Sequence, residues 1–311
     1  MSPWEALVLG AVQGLTEFFP VSSSGHLVLA ERLLGLSLPG VAFDVGLHVA
    51  TLISVLIVYR IRLLGLLREL RSKATWIFVG RIVIATLPAV IVGVALKDWF
   101  EARFDDPRFA GTMLLVTGSI VWSSRWTAAR PVLWWPESVP LLFGAATSVL
   151  AGTAVPFLAV LVVQASIFVV SRLTAPHETE REPGWGSALA MGIAQAVAIL
   201  PGISRSGSTV VAGLWRRVDP VAAAEFSFLM SIPAILGAAV LSLPDLAGEG
   251  AVGMDATALI PGALAAGVCG VIAIRFFVAM LRRRVFWGFA IYCWFAGALY
   301  LLTTNGTDLV R

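Results

Sequence analysis

Two stretches of this chain, 4–34 and 186–217, share an unusual plan: an apolar helix, a break rich in Pro, Gly and Ser, then a second short apolar helix. No half is long enough to span a bilayer, which takes about 20 helical residues. Non-helical backbone at that depth survives only where it is buried in protein or lines a wet cavity. Both stretches therefore read as re-entrant helix pairs. They are also copies of one another. A gap-free shift of 182 residues places Gly10, Gln13, Ser22, Ser24, Gly25, Val28 and Ala30 on Gly192, Gln195, Ser204, Ser206, Gly207, Val210 and Ala212, which is 7 identities in 21 positions. Broken helices at matching points of an internal repeat mark an inverted-repeat membrane fold with its site between the halves.

Composition agrees. Apolar residues make up 58% of the 311 positions and charged ones only 13%, against roughly 45–50% and about 25% in soluble domains. A mean hydropathy of +0.89 excludes a disordered chain, a nucleic-acid binder and a disulfide scaffold. Cys269 and Cys293 lie in apolar stretches and read as small buried hydrophobes. Glu5, and the lack of a basic stretch before the first apolar run, argue against a cleavable signal peptide.

The pattern predicts an all-α polytopic membrane protein. Each half holds a re-entrant pair and three transmembrane helices, with a helical hairpin inserted between the halves. The first half, 1–125, carries crossings at 43–59, 79–96 and 109–123. The second, 185–311, carries them at 221–243, 258–280 and 285–303. The insertion, 126–184, reads as two short crossings over 139–155 and 157–172, followed by a solvated charge run of His177, Glu178, Glu180, Arg181 and Glu182. The basic loops are Arg60–Lys73, Arg125–Arg130 and Arg282–Arg284. The positive-inside rule places them in the cytoplasm. The acidic loop 98–108 and both termini then lie outside.

Strongly polar groups at membrane depth are costly and mark function. Gln13 and Glu17, spaced i and i+4, share one helix face. Pro20 ends that helix, Ser22, Ser23, Ser24 and Gly25 turn the chain, and His26 opens the next helix. In the second repeat Pro201 and Gly202 break the chain, followed by Ser204, Arg205, Ser206, Gly207, Ser208 and Thr209. A Ser/Gly turn entering a helix N-terminus is suited to anions, and Arg205 adds a forked donor suited to phosphate. Two such turns match a ligand with two phosphates. The halves differ where reactivity is needed: Glu17, Ser23 and His26 align with Ile199, Arg205 and Ser208. Gln195 supports the second turn as Gln13 does the first. His48, in a crossing, and His177, in the charged loop, have no comparable setting.

The run from Gln13 through Glu17, Pro20 and Ser22 to His26 resembles the first signature of the bacterial undecaprenyl-diphosphatase family, also called the bacitracin resistance protein family. Pro201–Thr209 resembles its second signature, and Glu225–Leu229 with Ile232-Pro233 its following stretch. The likeness covers nearly all of the chain except about 126–184. It implies an enzyme of the bacterial cytoplasmic membrane, with its site facing outward, that converts undecaprenyl diphosphate to undecaprenyl phosphate and so recycles the carrier of peptidoglycan precursors. It implies a divalent cation, Mg²⁺ or Ca²⁺. Glu17, Ser23, His26 and Arg205 then form the catalytic set. Ser22, Ser24, Gly25, Ser204, Ser206, Gly207 and Thr209 bind phosphate. Glu17, with Gln13 where some members carry Glu, holds the metal. Attack on the terminal phosphorus is open to Ser23 with His26 as base, to His26 itself, or to water activated by His26, in that order of preference. The rival reading is a polyprenyl-phosphate flippase using the same anion site. The sequence leaves a homo-oligomer open.

Overall fold

The structure is a computed structural model that describes residues 1–36, 41–104, 106–127, 139–151, 155–156, 158–163, 165, 179–242 and 256–307. The described secondary structure is helical, apart from one isolated bridge between Glu180 and Val218. Helices α1 (Pro3–Phe18) and α2 (Ser23–Leu33) occupy the first broken stretch. Next come α3 (Val41–Val58), α4 (Arg60–Arg68), α5 (Lys73–Ala95), α6 (Lys97–Phe104) and α7 (Pro107–Ser123). Helix α8 (Val139–Ala151) lies in the insertion. Helices α9 (Trp185–Val197) and α10 (Arg205–Trp215) occupy the second broken stretch, followed by α11 (Pro220–Leu241), α12 (Ala256–Arg282) and α13 (Gly288–Thr307).

Local chemistry sets many of these boundaries. Ser2 and Glu5 form a capping box at the start of α1, with Pro3 in its first turn. Asp106 caps α7 by accepting from the amides of Arg108 and Phe109, and Asp219 caps α11 by accepting from Val221 and Ala222. Each is followed by a proline at the first helical position. Helix α1 stops where Phe19 turns extended ahead of Pro20, because the residue before proline is pushed out of the helical region.

Three helical segments are long and apolar enough to cross a membrane: Lys73–Ala95, Pro220–Leu241 and Thr257–Arg282. Helix α3, 18 residues and apolar, is followed directly by α4, and the chain turns by 70° between them. The protein is thus a polytopic membrane protein. The stretch 109–123 is helical as α7, whose 17 residues reach about 26 Å at 1.5 Å per residue. Of the two short crossings read in the insertion, α8 coincides with the first, and 157–172 falls largely outside the described residues.

In the described part of the charge run, Arg181 and Glu182 are exposed to solvent as expected, and the segment is also tethered. Glu182 pairs with Arg62 at 2.8 Å, and a Glu180 carboxylate oxygen accepts from the Gly184 amide at 2.8 Å. Glu180 also exchanges backbone hydrogen bonds with Arg217 and Asp219. His177 and Glu178 lie outside the described residues.

Packing places the two broken pairs at the centre. Helix α1 lies along α12, α9 along α5, and α7 along α13. Two glycines permit the first two contacts. A Cβ on Gly10 would strike the Gly262 carbonyl, and one on Gly192 would strike the Ala85 carbonyl. A column of aromatic edges fills the core beside them, running from Phe18 to Phe228, Phe277 and Phe286 at centroid spacings of 5.3–5.5 Å. These contacts hold the break after α1 against the break before α10.

Candidate active site

The two breaks touch directly. Gly207 packs on the Pro20 ring, where a Cβ would lie 3.0 Å from Pro20 Cβ. Ser206 Oγ donates to the Phe19 carbonyl at 3.1 Å, and Cys293 Sγ donates to the Pro20 carbonyl at 3.3 Å. The second turn is pinned from outside its own repeat. Thr117 Oγ1 donates to the Gly202 carbonyl at 2.7 Å and accepts from the Ser204 amide at 3.0 Å. Gly202 has φ +92, and a Cβ there would strike the Ala110 carbonyl, a conformation and a clearance that only glycine meets.

Glu17 is the hub. One carboxylate oxygen accepts from Arg205 Nη2 at 2.6 Å. The other accepts from Ser23 Oγ at 2.7 Å and from Gln13 Nε2 at 3.2 Å. His48 Nε2 stands 3.8 Å from that second oxygen. The Glu17 side chain is 8% exposed and Arg205 16%, so the pair is largely withdrawn from water. Two atoms here have no hydrogen-bond partner: Arg205 Nη1 and Gln13 Oε1 are both buried and unmatched. The structure thus assembles Gln13, Glu17, Ser23 and Arg205 as the sequence pairing anticipates.

His26 stands apart from Ser23. Its Nδ1 donates to the Ser22 carbonyl at 2.8 Å, which leaves Nε2 of the neutral ring to accept from the Tyr292 hydroxyl at 2.7 Å. The Tyr292 ring stacks on it, with centroids 5.5 Å apart. The expected pairing of Ser23 with His26 as base is therefore replaced by one of Ser23 with Glu17. The reason is geometric: the break brings Ser23, the first residue of α2, back onto Glu17 near the end of α1, whereas His26 bonds back to the carbonyl of Ser22, which has a φ of +67.

The two expected anion nests also differ. In the second, Ser204 Oγ accepts from the Gly207 amide and caps α10 itself, while Ser204 and Ser206 are 3.2 Å apart and Ser206 donates to Phe19. Thr209 Oγ1 donates within its own helix and pairs with Ser227 Oγ at 2.6 Å. Ser204, Ser206 and Gly207 thus contact the first turn at Phe19 and Pro20, and Thr209 ties α10 to α11 through Ser227. In the first nest, Ser22 makes no side-chain cap for α2; its hydroxyl lies 3.3 Å from that of Ser24. The N-terminus of α2 at Ser23, Ser24 and Gly25 is the open nest. Gln195 is buried with neither amide atom partnered, and its repeat carries Ile199 where the other has Glu17.

Three residues of the site were not assigned from sequence: His48, Tyr292 and Thr117. His48 carried a usable signal, being an ionisable group inside a crossing. Tyr292 and Thr117 carried none, because a hydroxyl on an apolar helix is ordinary until its distant partner is known.

Among the described residues no three His, Cys, Asp or Glu side chains gather as a metal site. Glu17 is a lone carboxylate, joined by the unmatched Gln13 Oε1 as a second oxygen. That set is too small for an all-protein cage. It does suit a cation such as Mg²⁺, which commonly takes one or two protein oxygens with the remainder from substrate phosphate and water.

Comparison with known proteins covers almost the whole chain. The family model for the bacitracin resistance protein BacA matches residues 6–299. Undecaprenyl-diphosphatase of Desulfatibacillum aliphaticivorans is 34% identical over 316 residues, covering 96% of this chain and 97% of that protein. Undecaprenyl-diphosphatase of Syntrophotalea carbinolica is 34% identical over 311 residues, covering 98% and 100%. Undecaprenyl-diphosphatase 4 of Bacillus thuringiensis is 33% identical over 305 residues, covering 98% of each chain.

Proposed function

The chain belongs to the bacitracin resistance protein family, and on that premise we propose how its two facing turns act on a lipid diphosphate. The protein is a membrane phosphatase that hydrolyses undecaprenyl diphosphate to undecaprenyl phosphate and inorganic phosphate. This returns the carrier lipid to peptidoglycan synthesis and confers bacitracin resistance; a flippase acting without hydrolysis is not favoured.

The observation that carries the mechanism is the half-used guanidinium of Arg205. Nη2 holds Glu17, while Nη1 is buried without a partner. A buried N–H left unmatched is expensive, and a phosphate oxygen relieves that cost. Arg205 and the open N-terminus of α2 hold the diphosphate and stabilise charge as it develops on the transferred phosphoryl group. As Arg205 turns toward phosphate, Glu17 loses its counter-charge and becomes a better base. Ser23 Oγ, already donating to Glu17, gives up its proton there and attacks the terminal phosphorus. The new Ser–O–P bond forms as the anhydride P–O bond breaks, and undecaprenyl phosphate leaves. Glu17 passes the proton it took from Ser23 to the departing phosphate oxygen of undecaprenyl phosphate. Water then attacks the phosphoserine, Glu17 takes the water's proton and returns it to Ser23 Oγ as the Ser–O–P bond breaks, and inorganic phosphate is released. His26, locked between Ser22 and Tyr292, positions the turn that carries Ser23. Glu17 and Gln13 Oε1, with phosphate oxygens, would hold a divalent cation, which when bound neutralises charge on the diphosphate.

The inverted repeat belongs to the same reading. Exchanging the halves maps α1 on α9 and α5 on α12, so the α1–α12 contact maps on the α9–α5 contact. Gly10 and Gly192, 182 residues apart, each sit at a helix–helix crossing of that kind. The same reading puts the basic loops in the cytoplasm by the positive-inside rule, with the site opening outward.

The test is phosphate release from undecaprenyl diphosphate by purified protein, in Mg²⁺, Ca²⁺ and EDTA, for wild type, Arg205→Ala and Ser23→Ala. Metal-dependent release, lost in both variants, is expected, and mass spectrometry of rapidly quenched wild type should find phosphate on Ser23. Ser23→Ala at a near wild-type rate would transfer the attack to water.

A further inference from the structure

Helix α4 presents one solvent- or lipid-facing side that no other part of the described chain covers. At about 100° per residue, Arg60, Ile61, Leu64, Leu67 and Arg68 fall together on that side, while Arg62, Leu63 and Leu66 turn inward. The inward side is fully occupied: Arg62 pairs with Glu182 and Glu225 and stacks on Phe78 at 4.7 Å. On the outward side, Ile61 is 78% exposed and Leu67 62%. Arg60, Arg68, Arg71 and Lys73 have no ion-pair partner among the described residues. The segment 60–73 has five basic residues and a single acid, Glu69. Its end is anchored by Trp76, whose ring is exposed and whose Nε1 donates to the Leu70 carbonyl at 2.8 Å.

A helix that leaves a crossing at 70° and mixes apolar and basic groups on one open side has the form of a segment lying in the membrane surface. Exposed leucines meet acyl chains, arginine stems snorkel upward, and the guanidinium groups reach the headgroup layer. Net positive charge without a protein counter-ion selects the sign of that headgroup.

We propose that α4 is a binding site for anionic phospholipid, with Arg60 and Arg68 as the headgroup donors and Ile61, Leu64 and Leu67 as the acyl-chain platform. The site is separate from the Glu17 hub and stands whether or not the catalytic reading does. A polybasic residue near an anionic surface is worth roughly fivefold in affinity, so removing two lowers binding by roughly 10- to 30-fold.

The experiment is native mass spectrometry and thermal unfolding of the purified full chain in non-ionic detergent, titrated with phosphatidylglycerol, with phosphatidylcholine and with inorganic phosphate. Wild type is expected to retain and be stabilised by phosphatidylglycerol in preference to phosphatidylcholine. Arg60→Gln/Arg68→Gln is expected to lose that preference while keeping wild-type phosphatase turnover in phosphatidylcholine nanodiscs. Equal retention of both lipids by wild type would overturn the proposal. So would an equal loss in Arg283→Gln/Arg284→Gln, which would assign the effect to total charge. Matching stabilisation by inorganic phosphate would overturn it as well, by making the ligand a free ion.

Discussion

Arg205→Ala should destabilise the protein as well as silence it, and the stability effect separates the ion pair from the chemistry. The side chains of Glu17 and Arg205 are 8% and 16% exposed, and they meet at 2.6 Å. Removing one partner of a buried pair costs about 3–5 kcal/mol because the other charge is left uncompensated. Glu17 keeps donors from Ser23 and Gln13, which places the expected loss near 3 kcal/mol. Adding Glu17→Gln removes the stranded charge while keeping the shape. The double variant should then recover about 2 kcal/mol, leaving a remainder of about 1 kcal/mol for the trimmed arginine stem. The assay is unfolding of wild type, both single variants and the double variant in mixed lipid–detergent micelles, with phosphate release measured alongside. All three variants should be inactive, yet the double should be more stable than Arg205→Ala alone. If the two single effects simply add to within about 0.5 kcal/mol, the pair is not a coupled buried unit and the argument from its burial fails.

Two further substitutions probe how the turns are held. Thr117→Val strands the Gly202 carbonyl and the Ser204 amide, which should cost about 2–4 kcal/mol and lower phosphate release by displacing Arg205; wild-type unfolding and turnover would show that the second turn stands without it. Gly10→Ala drives a methyl into the Gly262 carbonyl and should cost about 1–3 kcal/mol. Gly65→Ala, with nothing near its Cβ, should be neutral or stabilising by up to about 1 kcal/mol, and thermal unfolding compares the two.

Much of this was legible in the sequence because lipid penalises polar residues. Glu17, Ser23 and Arg205 stand out in apolar surroundings, and the 182-residue repeat marks both turns. The positions of α3, α5, α11 and α12 follow from hydropathy for the same reason. Hydroxyl roles were harder to read. Ser204, Ser206 and Thr209 looked like phosphate ligands by type, but a broken helix exposes its own carbonyls, and Phe19 and Ser227 claimed them first. The partners of His26, a carbonyl four residues back and Tyr292 from 266 residues away, leave no trace in local spacing. His48 reached Glu17 only through the packing of α3 beside α1.

The separation in sequence between Glu17 and Arg205 also bears on how the protein is made. The two are 188 residues apart, so a ribosome finishes the whole first half before the matching cation exists. The Pro20 carbonyl waits longer, since Cys293 follows it by 273 residues. A nascent first half that closed its re-entrant pair in lipid would hold a carboxylate with no counter-ion, at a cost of several kcal/mol. Closure of the first pair is therefore thermodynamically tied to arrival of the second. The helices of the early half can enter the bilayer in order of synthesis, but the central turns assemble last, as a single event after both halves are present.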